Sequence, residues 1–103
     1  MSRHYEVMVI LDPLMDDRKV SSTLEEYLKV IRNADGSVDN VDIWGRRRLA
    51  YEINKHSEGI YAVLDVDTTP DAVKELERQL SLQEFVLRIK TQRREASPEP
   101  AIS

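Results

Sequence analysis

Apolar and polar residues alternate along Arg3–Leu11, with Tyr5, Val7, Val9 and Leu11 on one side and His4, Glu6, Met8 and Ile10 on the other. This is the period-2 pattern of a strand. Both sides turn apolar toward its end, which predicts a central strand. Asp12-Pro13 stops it, since proline has no ladder donor and restricts the residue before it. From about Asp16 to Asn33 the period lengthens, and Val20, Leu24, Tyr27, Leu28 and Ile31 fall on one stripe of a helix. Asp16 and Asp17 in the first turn and Lys29 and Arg32 near the last suit the helix dipole. Asn33-Ala34-Asp35-Gly36 forms the exit, with Gly36 expected to take a positive φ.

Val38, Val41 and Ile43 lead into WGRRRLAYEI, Trp44 to Ile53, where Leu49, Tyr51 and Ile53 alternate with Arg48, Ala50 and Glu52. A second strand is expected over about 38–54, which is long for a strand. A bulge near Gly45 would let the alternation change parity. A polar turn over 54–59 joins it, as a hairpin, to a third strand in which Ile60, Ala62, Leu64 and Val66 alternate with Tyr61, Val63, Asp65 and Asp67. Thr68-Thr69-Pro70 opens a second helix, a hydroxyl cap followed by proline, with Val73, Leu76 and Leu80 as its buried stripe. Phe85, Leu87 and Ile89 then alternate with Val86, Arg88 and Lys90 as a fourth strand. Past Arg94 the segment EASPEPAIS is proline-punctuated and aperiodic. The chain therefore divides into one folded domain, 1–94, and a tail, 95–103, expected to be mobile.

The order strand, helix, strand, strand, helix, strand gives two split βαβ halves. Right-handed crossovers favour the α+β, ferredoxin-like arrangement: a four-stranded antiparallel sheet with both helices on one face. The second and fourth strands become the edges. The uncovered face is expected to carry Met8, Ile10, Tyr61, Val63, Val86 and Arg88, a mixture typical of docking surfaces.

Composition narrows the classes. At 103 residues without cysteine, the chain has one core's worth of apolar residues and neither disulfides nor thiolate metal sites to support it. It has no apolar run of bilayer length, and MSRHYEV enters a strand pattern with no signal-peptide core, so a soluble cytoplasmic protein is expected. A net charge of −4 argues against a free-standing nucleic-acid binder. The charge is unevenly placed, however. Acids crowd into 12–42 and 65–84, while Arg46, Arg47 and Arg48, and then Arg88, Lys90, Arg93 and Arg94, form two basic blocks. Such a surface presents one face to phosphates and another to water.

Catalytic chemistry is not assembled by the sequence. His4 and His56 lie in different elements, the acids are not clustered at ligand spacing, and the three glycines are too scattered to cradle a phosphate. No nucleophile, base and orienter come together, so neither an enzyme nor a cofactor is expected. The third strand, GIYAVLDVD, lacks the basic-glycine-aromatic signature by which this topology stacks single-stranded bases. Two readings of Arg46–Arg48 stand side by side: guards of an exposed edge strand, or planar forks for phosphate. Trp44 either fills core or packs on RNA or a partner protein.

The motifs RHYEVMVILDP, GRRRLAYEI and GIYAVLDV, with the helix spacing between them, resemble the family of the sixth protein of the bacterial small ribosomal subunit from about Arg3 to Lys90. Trp44 departs from the residue type expected there in many relatives. The resemblance implies a structural constituent of the small subunit that binds the central domain of small-subunit ribosomal RNA. It also implies a basic partner, the eighteenth small-subunit protein, which would supply phosphate neutralisation that this acidic chain lacks. Tyr5, Leu49 and Tyr51 are implied to be chiefly packing residues. Arg3, Trp44, Arg46, Arg47, Arg48, Arg88, Lys90, Arg93 and Arg94 are the expected RNA or partner contacts. The alternative function is a small-molecule-binding regulatory domain of the same fold. An acyl-phosphate hydrolase is disfavoured by the acidic loop Asp12–Asp17, which would repel its substrate. Fold alone does not separate these.

Overall fold

The computed structural model describes residues 3–53 and 55–94; the side chain of Arg94 and the expected tail lie outside the described residues. The elements are β1 (Arg3–Leu11), α1 (Asp17–Asn33), β2 (Ser37–Ile53), β3 (His56–Thr68), α2 (Pro70–Ser81) and β4 (Val86–Arg94). The strands form one antiparallel sheet in the order β2-β3-β1-β4, the ferredoxin-like arrangement with β2 and β4 as edges.

The core lies between sheet and helices. Tyr5, Val7, Val9 and Leu11 of β1 and Ile60, Ala62, Leu64 and Val66 of β3 pack with the helix stripes Val20, Leu24, Leu28, Ile31 and Ala72, Val73, Leu76, Leu80. Burying one such large aliphatic side chain contributes roughly 1.5–3 kcal/mol. An exposed ion pair contributes about 0.2–1 kcal/mol, so stability resides mainly in this layer.

Local chemistry fixes the helix ends. The Asp16 carboxylate accepts from the Arg18 N–H at 2.9 Å, and Thr69 Oγ1 accepts from the Ala72 N–H at 3.3 Å with Pro70 next to it. At the end of α1, the Gly36 N–H donates to the Ile31 carbonyl at 2.9 Å and the Asp35 N–H to the Arg32 carbonyl at 3.1 Å, a Schellman motif. The left-handed residue is Asp35, at φ 64, rather than Gly36 as expected. Aspartate tolerates that conformation. Gly36 is instead needed for close approach, since a Cβ there would sit 2.6 Å from Thr68 Oγ1.

The edge strands bring two further differences. β3 begins at His56 rather than 60, with Ile53 and His56 paired across the hairpin and Lys55 at φ 69. In β4, Ile10 is opposite Arg88 but Leu11 is opposite Val86, so Leu87 is an extra residue. That shift turns Val86 to the helix side, where it packs on the core, and not to the open face.

Candidate nucleic-acid interface

β2 carries the three consecutive arginines, and its path separates them. Its pairing with β3 shifts between Val38 and Asn40, between Ile43 and Gly45, and again beyond Arg48. Gly45 takes φ 90 at the shift between Ile43 and Gly45, where the change of parity placed a bulge.

Arg46 stands opposite Ile60, a core residue, and so points to the helix side. Its Nε donates to the Pro13 carbonyl at 2.9 Å, Nη2 to the Met15 carbonyl at 3.0 Å, and Nη1 to Asp17 Oδ1 at 2.6 Å. The guanidinium thus ties the edge strand to the loop before α1. Arg47, opposite Gly59, lies with its guanidinium carbon 5.4 Å from the centroid of the Trp44 ring. Arg48, opposite Glu58, is exposed and makes no hydrogen bond or ion pair among the described residues.

Trp44 is 42% exposed, so it does not fill core. Its ring stacks on Tyr61 with centroids 6.3 Å apart and planes 3° from parallel, and its Nε1 donates to Asp42 Oδ2 at 3.0 Å. Neither Tyr61 nor Asp42 was signalled as a partner by spacing; the register of β2 on β3 makes them so.

The open face has an apolar floor. Met8, Ile10, Leu49, Tyr51, Ile53 and Tyr61 line a concavity of about 220 Å³, and Arg88 and Lys90 stand at its β4 side. The resemblance-based roles hold for Tyr5 and Leu49, which are buried, but Tyr51 is 61% exposed. The Tyr51 hydroxyl accepts from Arg88 Nη1. Since β2 and β4 are opposite edges, the two side chains bridge the open face between them.

The remaining candidates are elsewhere. Arg3 is opposite Thr68, Arg93 opposite Tyr5, and the backbone of Arg94 opposite His4. Arg3 is seven residues along β1 from Ile10, the neighbour of Arg88, or roughly 23 Å at ~3.3 Å per residue. That end of the open face is acidic. His4 Nδ1 lies 3.4 Å from Asp39 Oδ2, and its Nε2 3.8 Å from Asp65 Oδ1. Potential ligand atoms of His4, Asp39 and Asp67 lie within 4.8 Å of one another, so the fold gathers acids that are dispersed in the sequence.

A helix-backed, four-stranded antiparallel sheet with an apolar, cation-edged open face places the protein among the ferredoxin-like α+β domains. A family model described as Ribosomal protein S6 matches residues 4–93. The chain is 62% identical over 99 residues to small ribosomal subunit protein bS6 of Saccharopolyspora erythraea, covering 96% of this chain and 84% of that one. It is 61% identical over 94 residues to bS6 of Beutenbergia cavernae, covering 91% and 98%. Among solved structures, 30S ribosomal protein S6 from Thermotoga maritima superposes with a TM-score of 0.82 at 32% identity, covering 91% of this chain and 89% of that one. The chain belongs to the ribosomal protein S6 family of the small ribosomal subunit. That family is structural and ribosomal, not enzymatic. The C-terminal domain of the MgtC protein from Mycobacterium tuberculosis, with a TM-score of 0.63 at 18% identity, shares the fold alone.

Proposed function

We propose that the chain binds the central domain of small-subunit ribosomal RNA jointly with a basic partner, the eighteenth small-subunit protein, as a structural constituent of the cytoplasmic ribosome. The observation that carries this reading is the open face: an apolar floor for a protein partner, with Arg47, Arg88 and Lys90 around it for phosphate or acidic groups. At net charge −4 the chain is a poor polyanion binder alone, and a cationic companion removes that obstacle. Arg46 contributes indirectly, by fixing the edge strand on which Arg47 and Arg48 are presented. The small-molecule alternative is less well supported on the open face, where the concavity, about 220 Å³, is smaller than the roughly 300–1,000 Å³ of ordinary ligand pockets.

The test is binding of a central-domain ribosomal RNA fragment across a salt series, with and without the basic partner. Weak binding alone and much tighter binding with the partner are expected, and the logarithm of affinity should fall linearly with the logarithm of salt. Replacing both Arg47 and Arg48 by alanine should flatten that line by roughly 0.7–0.9 per lost phosphate contact. Affinity indifferent to the partner, or to these two residues at matched salt, would refute the reading.

A further inference from the structure

We infer that Trp44 is a positioning residue, whose stacking on Tyr61 holds the Arg47 guanidinium ready for a phosphate of the RNA backbone. The inference rests on the function proposed above and assigns parts within that surface. An exposed arginine normally samples many rotamers, and holding one geometry on binding opposes affinity. Here the indole is fixed twice, by the near-parallel Tyr61 ring and by the Nε1 bond to Asp42. Arg47 lies over that fixed plane, where cation–π attraction favours a flat guanidinium.

Two contrasts single out Arg47 within the run. Arg46, its predecessor, is neutralised by Asp17 and two carbonyls of its own chain. Arg47 makes no hydrogen bond or ion pair among the described residues, so its five N–H donors are available. Beside it the bulge opens the edge, since a Cβ placed on Gly45 would find no atom within 4 Å. Asp42, the acid bonded to the stack among the described residues, opposes a phosphate by its charge while its oxygen anchors the indole.

The chain has a single tryptophan, so 5-fluorotryptophan incorporation gives one ¹⁹F resonance that reports on this place alone. A central-domain RNA fragment is titrated into the full chain already paired with its basic partner, and both the resonance and the affinity are followed. The resonance should move as RNA saturates. Trp44→Ala should weaken binding about two- to fivefold, the scale of an exposed cation–π contact, and Trp44→Phe should restore most of the loss. Trp44→Ala should have no further effect in an Arg47→Ala background. Asp42→Asn, which keeps an acceptor and removes the charge, should tighten binding. A stationary resonance, or an equal loss from Trp44→Ala with and without Arg47, overturns the inference while leaving the proposed function intact. Failure of the wild-type pair to bind the fragment at all overturns both.

Discussion

Replacing Arg46 by alanine should loosen the fold, whereas the same change at Arg48 should not, although both belong to one run of three. The Arg46–Asp17 pair has side chains 41% and 70% exposed, so it contributes about 0.2–1 kcal/mol. The bonds to the Pro13 and Met15 carbonyls, at 2.9 and 3.0 Å, lie where water can replace them, which puts each near the low end of about 0.5–1.5 kcal/mol. Together these give a loss of about 1–2 kcal/mol. In a domain of this size each kcal/mol lowers the melting temperature by roughly 4–8 °C. Thermal unfolding followed by circular dichroism is sufficient to see it. Arg46→Lys, which keeps a charge near Asp17 but lacks the planar fork, should fall between wild type and Arg46→Ala. In a double-mutant cycle, Asp17→Asn should cost less once Arg46 is gone. Arg48→Ala should stay within about 0.5 kcal/mol of wild type. If Arg46→Ala and Arg48→Ala melt together, the division of the arginines into one internal tie and two outward groups is wrong.

Two further outcomes follow from the fold. Gly36→Ala would place a Cβ 2.6 Å from Thr68 Oγ1, 2.7 Å from its Cβ and 2.8 Å from the Asp67 carbonyl. A loss of about 1–3 kcal/mol is expected, read as a lower urea midpoint and only partly rescued by Thr68→Ala, because the backbone contact persists. The hydrogen bond from Arg78 and then that from Gln79 hold the Glu75 carboxyl down at about 2, from an ordinary 4.5. A folded-state value below the unfolded one favours the ionised group in the folded chain, so this stabilisation is complete above about pH 5 and disappears as the pH falls toward 2. The stability gap between wild type and Glu75→Gln in urea melts should therefore narrow through that window; a constant gap would show that the pairing does nothing in solution.

The folded architecture was largely legible because each element buries one regular stripe. Val20, Leu24, Leu28 and Ile31, and the alternation of Tyr5, Val7, Val9 and Leu11, each report a single buried face, and the order of elements then leaves few topologies. What escaped were shifts of one residue. The extra residue at Leu87 turns Val86 to the core, and no local feature of the apolar run Phe85–Leu87 marks it. The site was legible by residue type and illegible by partner. The change of parity along β2 implied a bulge near Gly45, but which arginine would find Asp17 depended on a register fixed 14 residues later, at Ile60. The resemblance implied packing for Tyr51, yet its hydroxyl meets Arg88 of the opposite edge strand, a pairing that no spacing signals. His4, Asp39, Asp65 and Asp67 come from three strands, and sequence spacing cannot express such a neighbourhood.

Arg47 and Arg48 on β2 and Arg88 and Lys90 on β4 put cationic side chains along both free borders of the sheet. Charge there discourages a second chain from adding a strand, so neither border should seed sheet-to-sheet growth.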